Sequence, residues 1–203
     1  MKVGIIDYGM GNTNSIIGVL EYLKVDSVIH SFDEKKLQNC DKLILPGVGS
    51  FNEAMVEINN RQLKKTINTL VIDNYKPILG ICLGMQLLTS LSDENGTTEG
   101  LNLINAKVKK FKINTLKIPH VGFNQIKTSS KSKLFKGIKD HSDFYFVHSH
   151  RITKIEDTIV STCYYGEEFI SSFEKKNISG VQFHPELSQQ NGIKLISNFL
   201  NNF

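Results

Sequence analysis

The residues from 77 to 88 read Pro-Ile-Leu-Gly-Ile-Cys-Leu-Gly-Met-Gln-Leu-Leu, and this stretch decides how the first half of the chain folds. The apolar run before Cys82 has the length of a buried strand, and the residues after it are typical of the start of a helix. Cys82 therefore stands on a sharp strand-to-helix turn, where Gly80 and Gly84 relieve crowding and leave the sulfur exposed. The helix N-terminus behind the sulfur favours negative charge there. The stretch predicts a cysteine nucleophile.

Strand and helix patterns alternate on both sides of this turn. Apolar runs typical of strands cover residues 2–7, 25–30, 41–45 and 77–81, and helical patterns cover residues 14–23 and 51–74, the second broken near Asn59 and Asn60. This alternation predicts an α/β fold with a mostly parallel central sheet and helices on both faces. In such folds the chemistry lies beyond the carboxyl ends of the strands, where Cys82 and the loop Pro46–Gly49 both fall.

The second half of the chain changes character. Residues 106–147 favour smaller, antiparallel strands, with turns at Pro119, Gly122 and Gly137. Residues 166–183 predict two further strands joined by a turn, and the final segment from residue 191 has the apolar spacing of a helix. At 203 residues the whole chain, 1–203, is expected to form one domain.

Composition and charge exclude several classes of protein. The chain is 40% hydrophobic and 22% charged with a net charge of +4, and its lysine-rich stretches have few interleaved aromatic residues. A solvated face explains these lysines better than a nucleic-acid site. The longest apolar stretch is too short to cross a bilayer, and Asp7 interrupts the N-terminal apolar run before a secretory leader could form. We expect neither nucleic-acid nor membrane binding, and a cytoplasmic protein.

A histidine and a carboxylate near the other end of the chain complete a catalytic set. His184 and Glu186 flank Pro185 after a strand-like run, so one side of an extended segment can present both groups. Such a carboxylate would hold the imidazole in the tautomer that leaves its other nitrogen free for a thiol. Taken alone, the motif is more often a strand-end turn and a lone cysteine is more often core filler, so their co-occurrence carries the argument.

The loop Pro46–Gly49 allows two interpretations. It can be a simple strand-to-helix connection, or its glycines can let backbone N–H groups form an oxyanion hole. The sequence does not decide between them. The three cysteines are too widely and unevenly spaced for a disulfide framework or a zinc site, and no metal or organic cofactor is implied.

Together these motifs resemble the class I, triad-type glutamine amidotransferases, which are flavodoxin-like α/β proteins. Further stretches resemble one group of that class, the glutaminase subunits of imidazole glycerol phosphate synthases, and the resemblance spans essentially the whole chain. The class-level motifs are Gly80–Gln86, Pro46–Gly49 and Phe183–Glu186, and the group-level motifs are Asp7–Asn12, Pro119–Asn124 and Tyr145–His150.

The resemblance implies a role for each matching residue. Cys82 would attack the side-chain amide of L-glutamine, His184 would act as base and then acid, and Glu186 would orient His184. The backbone amides of Val48 and Leu83 would form the oxyanion hole, and the loop at Val48 is expected to need a peptide reorientation to complete it. The positions that would hold the substrate are Gln86, Glu94, Ser149 and His150.

The resemblance also implies a partner, a cyclase subunit with a (β/α)₈ barrel that receives the ammonia within a heterodimer. The positions expected at that interface are Asn12, His120, Phe123, Tyr145 and Leu187. The chain departs from the family pattern here, since Val121 and Phe123 replace methionine and tryptophan, His150 replaces an aromatic residue and Leu187 replaces a lysine. Loss of a charged interface residue bears on partner choice more than on affinity.

Three other interpretations compete with a histidine-pathway glutaminase. Phe123 and Leu187 motivate a related subunit that supplies ammonia to an amidotransferase building surface sugars. A glutaminase of vitamin B6 synthesis is disfavoured by the residues following Cys82 and by the Pro119–Asn124 motif. A catalytically idle regulatory subunit is disfavoured because Cys82, His184 and Glu186 are all present.

Overall fold

The computed structural model describes residues 1–203 and contains thirteen strands and six α-helices. The strands are β1 (Lys2–Ile6), β2 (Ser27–Ser31), β3 (Lys42–Leu45), β4 (Ile78–Ile81), β5 (Thr89–Ser92), β6 (Thr98–Glu99), β7 (Ile104–Lys110), β8 (His120–Lys127), β9 (Ser142–His148), β10 (His150–Ile152), β11 (Ile159–Tyr165), β12 (Glu167–Lys175) and β13 (Ile178–Val181). The α-helices are α1 (Thr13–Tyr22), α2 (Glu34–Gln38), α3 (Phe51–Asn60), α4 (Leu63–Asn68), α5 (Leu83–Leu87) and α6 (Gln189–Asn202). A π-helical turn, Thr69–Asp73, continues α4, and a 3₁₀ turn, Pro185–Leu187, follows β13.

Five strands form a parallel sheet in the order β2-β1-β3-β4-β13. The predicted α/β fold with a mostly parallel central sheet is confirmed. Strand β13 comes from the far end of the sequence but lies directly beside β4, with Gly180 opposite Gly80 and Val181 opposite Ile81. Since the two strands are parallel, the residues that follow each of them emerge at the same edge of the sheet.

The remaining strands extend this sheet in mostly antiparallel pairs. From β13 the path continues through β12, β10 and β7, while β11, β8 and β9 branch from β12. Strands β8 and β9 have eight and seven residues, longer than the four- and five-residue strands of the parallel part, whereas smaller strands were expected. In β9 buried and exposed residues alternate, and such half-buried strands give a weaker apolar signal in the sequence. Gly122, predicted at a turn, lies inside β8.

Helices cover both faces of the parallel part. Apolar residues of α1 and α6 pack on one face, and those of α2, α3, α4 and α5 pack on the other. The side chains of β3 point alternately to the two faces. Leu43 and Leu45 pack with the helices α2 to α5, and Ile44 packs with α1 and α6. The helical pattern of residues 51–74 is interrupted at Arg61 and Gln62, within two residues of the predicted break, where Gln62 has a φ of 57°. No helix combines the length and the apolar character that crossing a bilayer would require.

The packing of α5 on the β3 loop leaves no room for a side chain at Gly84. A Cβ atom there would overlap the carbonyl oxygen of Leu45, which belongs to a central strand and cannot move freely. We expect Gly84→Ala to lower the free energy of unfolding by about 3 kcal/mol, measured by urea denaturation. Gly18→Ala is the matched control, because nothing lies within 4 Å of its Cβ position in α1. That control should be stabilising by roughly 0.5–1 kcal/mol, and equal destabilisation of both variants would contradict the packing argument.

Candidate active site

Cys82 occupies the turn between β4 and α5 in a backbone conformation that non-glycine residues rarely adopt, with φ 53° and ψ −111°. Its N–H donates to the carbonyl of Val181 at 2.8 Å, which ties the turn to β13. A non-glycine residue in this region costs of order 1–3 kcal/mol, so the surrounding packing must impose it. Cys82 is only 6% exposed, less than the sequence suggested, and it lines a cavity.

The cavity has a volume of about 310 Å³. It brings together all the residues predicted to bind substrate or stabilise an oxyanion, along with the thiol and His184. Its lining comprises Val48, Gly49, Cys82, Leu83, Gln86, Glu94, Pro119, Val147, His148, Ser149, His150 and His184. These residues come from distant parts of the sequence, so the chain folds to converge on this one space.

His184 and Glu186 form a buried pair at the end of β13. Glu186 Oε1 lies 2.7 Å from His184 Nδ1, and the side chains are 1% and 5% exposed. This contact directs the other ring nitrogen, Nε2, away from the carboxylate. The Nε2 atom is buried and has no hydrogen-bond partner of normal geometry within the chain.

The surroundings of His184 act on its proton affinity in opposite directions. Burial lowers its pKa, but interactions with Cys82 and Glu186 outweigh burial and raise the pKa well above its ordinary value. These contacts therefore favour a protonated imidazole at His184.

Two backbone N–H groups of residues that line the cavity have no acceptor within the chain. No hydrogen bond within the chain uses the N–H of Val48, and the N–H of Leu83 is the first of α5, where no intrahelical acceptor exists. A hydrogen bond anchors the loop before Val48, because the buried Tyr8 hydroxyl donates to the carbonyl of Pro46 at 2.7 Å. No side chain fits on Gly47, where a Cβ would collide with the Tyr8 hydroxyl.

The remaining cavity residues supply polar groups of defined orientation. Gln86 Nε2 donates to the His150 carbonyl at 3.1 Å and to Gln182 Oε1 at 2.9 Å, which leaves its carbonyl oxygen unassigned. Glu94 accepts the N–H of Phe51 at 2.9 Å and lies 3.6 Å from His150 Nδ1. The carboxylate of Glu94 is therefore fixed between the start of α3 and β10.

Three residues near the thiol were not singled out in the sequence. Gln182 is fully buried and its Nε2 donates to Cys82 Sγ at 3.7 Å. It stands two residues before His184, and strand alternation could have placed both on one side. Tyr8 reaches the site only through the Pro46 loop, a contact distant in sequence, whereas His148 lines the cavity and directly precedes the predicted residues Ser149 and His150.

The predicted interface residues do not all share one surface. Asn12, Phe123 and Leu187 are exposed and Tyr145 is half-buried, with the rings of Phe123 and Tyr145 5.5 Å apart. His120 differs, because it is only 2% exposed and packs between the rings of other strands. The prediction that His120 meets a partner directly is therefore not supported by its position.

Comparison with known proteins agrees with this geometry. The profile of the family described as glutamine amidotransferase class-I matches residues 4–203. The chain is 46% identical over 200 residues to the imidazole glycerol phosphate synthase subunit HisH 2 of Methanococcus maripaludis, covering 98% of each chain. It is also 46% identical over 198 residues to the subunit HisH of Methanocaldococcus jannaschii, again covering 98% of each.

Solved structures share the fold at much lower sequence identity. A glutamine amidotransferase of 16% identity aligns with a TM-score of 0.77, covering 98% of this chain and 96% of that one. A putative GMP synthase component from Thermoplasma acidophilum has 24% identity and a TM-score of 0.74, with coverage of 98% and 92%. The family match over residues 4–203, together with the identity to curated relatives, shows that this chain belongs to the class-I glutamine amidotransferases.

Proposed function

We propose that this chain hydrolyses L-glutamine to L-glutamate and ammonia, and that it supplies the ammonia to a synthase subunit in histidine biosynthesis. The observation that carries this proposal is the convergence of the Cys82 thiol and the His184–Glu186 pair on one cavity. The identity of 42–46% to imidazole glycerol phosphate synthase subunits, over nearly the full length, supports the pathway.

The first half of the reaction forms a thioester. Cys82 Sγ attacks the side-chain amide carbon of glutamine, and the carbonyl oxygen becomes an anion that the N–H groups of Val48 and Leu83 stabilise. His184, protonated and held by Glu186, then gives its proton to the departing nitrogen. The C–N bond breaks, ammonia leaves and the glutamyl group remains on the sulfur.

The second half restores the thiol. His184 is now neutral and accepts a proton from a water molecule as that water attacks the thioester carbon. The C–S bond breaks, glutamate leaves and the sulfur departs as a thiolate beside the reprotonated imidazole. Glu186 keeps the same nitrogen of His184 directed at the reaction in both halves, so Cys82, His184 and Glu186 act as a catalytic triad.

Glutamine binding draws on the polar groups around the thiol. The carboxylate of Glu94 can pair with the α-ammonium group of the substrate, and the carbonyl oxygen of Gln86 can accept a further N–H. The backbone at Ser149 and His150 would meet the α-carboxylate. The cavity of about 310 Å³ suits a small amino acid better than a larger substrate.

The partner that we propose is a cyclase subunit with a (β/α)₈ barrel, joined to this single-domain chain in a cytoplasmic heterodimer. The barrel would turn the ammonia and a phosphoribulosyl aminoimidazole-carboxamide compound into imidazole glycerol phosphate and an aminoimidazole carboxamide ribotide. Exposed Phe123, half-buried Tyr145 and exposed Leu187 lie on the surface expected to meet it.

A second candidate keeps the chemistry and changes the recipient. Phe123 is 50% exposed and Leu187 is 41% exposed, so the presumed partner surface presents apolar groups where the family pattern has a tryptophan and a lysine. A synthase with an apolar rather than acidic residue opposite Leu187 would fit this surface, and an amidotransferase building surface sugars is the alternative recipient.

The isolated chain is expected to release glutamate slowly, because an incomplete oxyanion hole at Val48 forfeits transition-state stabilisation. Adding a histidine-pathway cyclase with its acceptor substrate should raise glutamate release about 10²- to 10³-fold, as expected when one oxyanion donor is supplied. The assay is glutamate production from glutamine, with Cys82→Ala as the inactive control. Rapid turnover by the chain alone would contradict an unformed hole, and unstimulated but Cys82-dependent turnover would favour the alternative recipient.

Replacing Glu186 should alter both the charge and the activity of the site. Since Glu186 is one of the groups that raise the pKa of His184, Glu186→Gln should lower that pKa and let the imidazole lose its proton at lower pH. The titration can be followed by NMR of the His184 ring, and glutaminase kcat should fall by about 100-fold.

The matched control for Glu186 is another carboxylate of the same cavity. Glu94→Gln should raise KM for glutamine and leave the titration of His184 in place, because Glu94 contacts His150 rather than His184. A Glu186→Gln enzyme with an unchanged His184 titration and full kcat would remove Glu186 from the mechanism.

A further inference from the structure

Two buried histidines outside the proposed triad are hydrogen-bonded to each other. His120 on β8 and His148 on β9 stand opposite one another, 2% and 6% exposed, with His120 Nδ1 3.0 Å from His148 Nε2. One nitrogen of this contact must donate and the other must accept, so the protons on the two rings are linked. His148 lines the proposed glutamine cavity and His120 does not.

The outer end of the pair fixes the proton of His120. The side-chain oxygen of Asn124 accepts the N–H of Gln125 at 2.8 Å, so its amide nitrogen is the group directed at Tyr164 O (3.0 Å) and at His120 Nε2 (3.3 Å). An amide nitrogen can only donate, so Nε2 of His120 accepts. The proton of His120 therefore resides on Nδ1, which donates to His148.

The inner end fixes the proton of His148 independently. His148 Nδ1 lies 2.8 Å from the carbonyl oxygen of His150, which can only accept. The proton of His148 is therefore on Nδ1, and its Nε2 accepts from His120. The two ends of the chain of contacts thus require the same direction of donation, from Asn124 inward to His150.

Burial keeps both rings in this state. It lowers the pKa of His120 to about 4 and that of His148 to about 3. For His148 the hydrogen bond to the His150 carbonyl opposes this shift, and nearby imidazoles assist it, but burial is the largest cause. Both rings are neutral at physiological pH, and each has one proton to give. The direction of donation is therefore a lasting property of the folded protein.

The contacts continue from the His150 carbonyl to the thiol. That carbonyl accepts both His148 Nδ1 and Gln86 Nε2, and the second proton of Gln86 Nε2 goes to Gln182 Oε1. Gln182 Nε2 in turn donates to Cys82 Sγ. Because both amide protons of Gln86 are engaged, only its carbonyl oxygen remains to serve the cavity.

We propose that His120 is a positioning residue for the glutamine site, acting through His148 on the carbonyl of His150 and hence on Gln86. The proposal rests on the proposed glutaminase function. His120 touches neither the thiol nor the cavity, and its influence depends on the N–H that it gives to His148. Without that donor, His148 has a buried acceptor unpaired and is free to turn away from His150.

His120 could instead matter only because its ring fills space in the core, and this alternative predicts a different order of the two variants below. Its ring stacks on Phe146 and Tyr165, with centroids 4.8 and 4.0 Å away, so it also fills space in the core. Phenylalanine would preserve this stacking and lose the donor. Asparagine would lose the stacking and keep an N–H at the place of Nδ1. The two variants therefore separate packing from hydrogen bonding.

The experiment compares His120→Phe with His120→Asn in the full chain. The readouts are KM and kcat for glutamine with the synthase partner, labelling of Cys82 by a glutamine-analogue chloroketone and by iodoacetamide, and Tm. We expect His120→Phe to raise KM and slow chloroketone labelling about tenfold, with iodoacetamide labelling within about threefold of wild type. His120→Asn should stay within about threefold of wild type in KM despite the lower Tm of the two.

If His120→Asn, which loses the ring stacking, has both the lower Tm and the lower activity of the two variants, the positioning role is overturned. Equal KM values for both variants and wild type would also overturn it. Failure of the proposed function looks different, because wild-type protein would then neither be labelled at Cys82 by the chloroketone nor release glutamate.

Discussion

The parallel pairing of β13 with β4 is the constraint on which the rest of the site depends. Residues about a hundred positions apart in sequence become neighbours because Val181 lies opposite Ile81, and each strand ends within three residues of a member of the proposed triad. Cys82 follows Ile81 directly, and its N–H is bonded to Val181. A slip of one residue in this register would turn the side chains of β13 to the opposite face, and His184 would no longer face the thiol.

The strained turn at Cys82 is surrounded by close contacts. Gly84 packs α5 directly against the carbonyl of Leu45, and the Tyr8 hydroxyl donates to the neighbouring loop at Pro46. Val48 is exposed, while the residue before it is tightly enclosed. The loop beside the thiol thus combines a rigid start with a peptide that has no partner in the chain.

Short-range patterns predicted much of this structure. The turn at Cys82 and the alternation of strands and helices could be predicted because each depends on a pattern of about a dozen residues. The length of the antiparallel strands was harder to predict, since half-buried strands contain fewer apolar residues. The burial of His120, which was predicted at the partner interface, could not be foreseen because it depends on Phe146 and Tyr165 from other strands. Gln182 was missed although it stands two residues before His184, because a glutamine is not a residue type that by itself indicates a catalytic site.

The enclosure of the thiol has a consequence for its side reactions. Cys82 is 6% exposed and is reached through a cavity of about 310 Å³, while the other two cysteines are buried elsewhere. An oxidant as small as hydrogen peroxide can enter such a space, whereas the low exposure of Cys82 hinders the approach of a protein disulfide to the sulfur. The enclosure of Cys82 therefore favours oxidation to sulfenic acid by small oxidants over thiol–disulfide exchange with other proteins. The walls of the proposed substrate site thus also influence how the Cys82 thiol is oxidised.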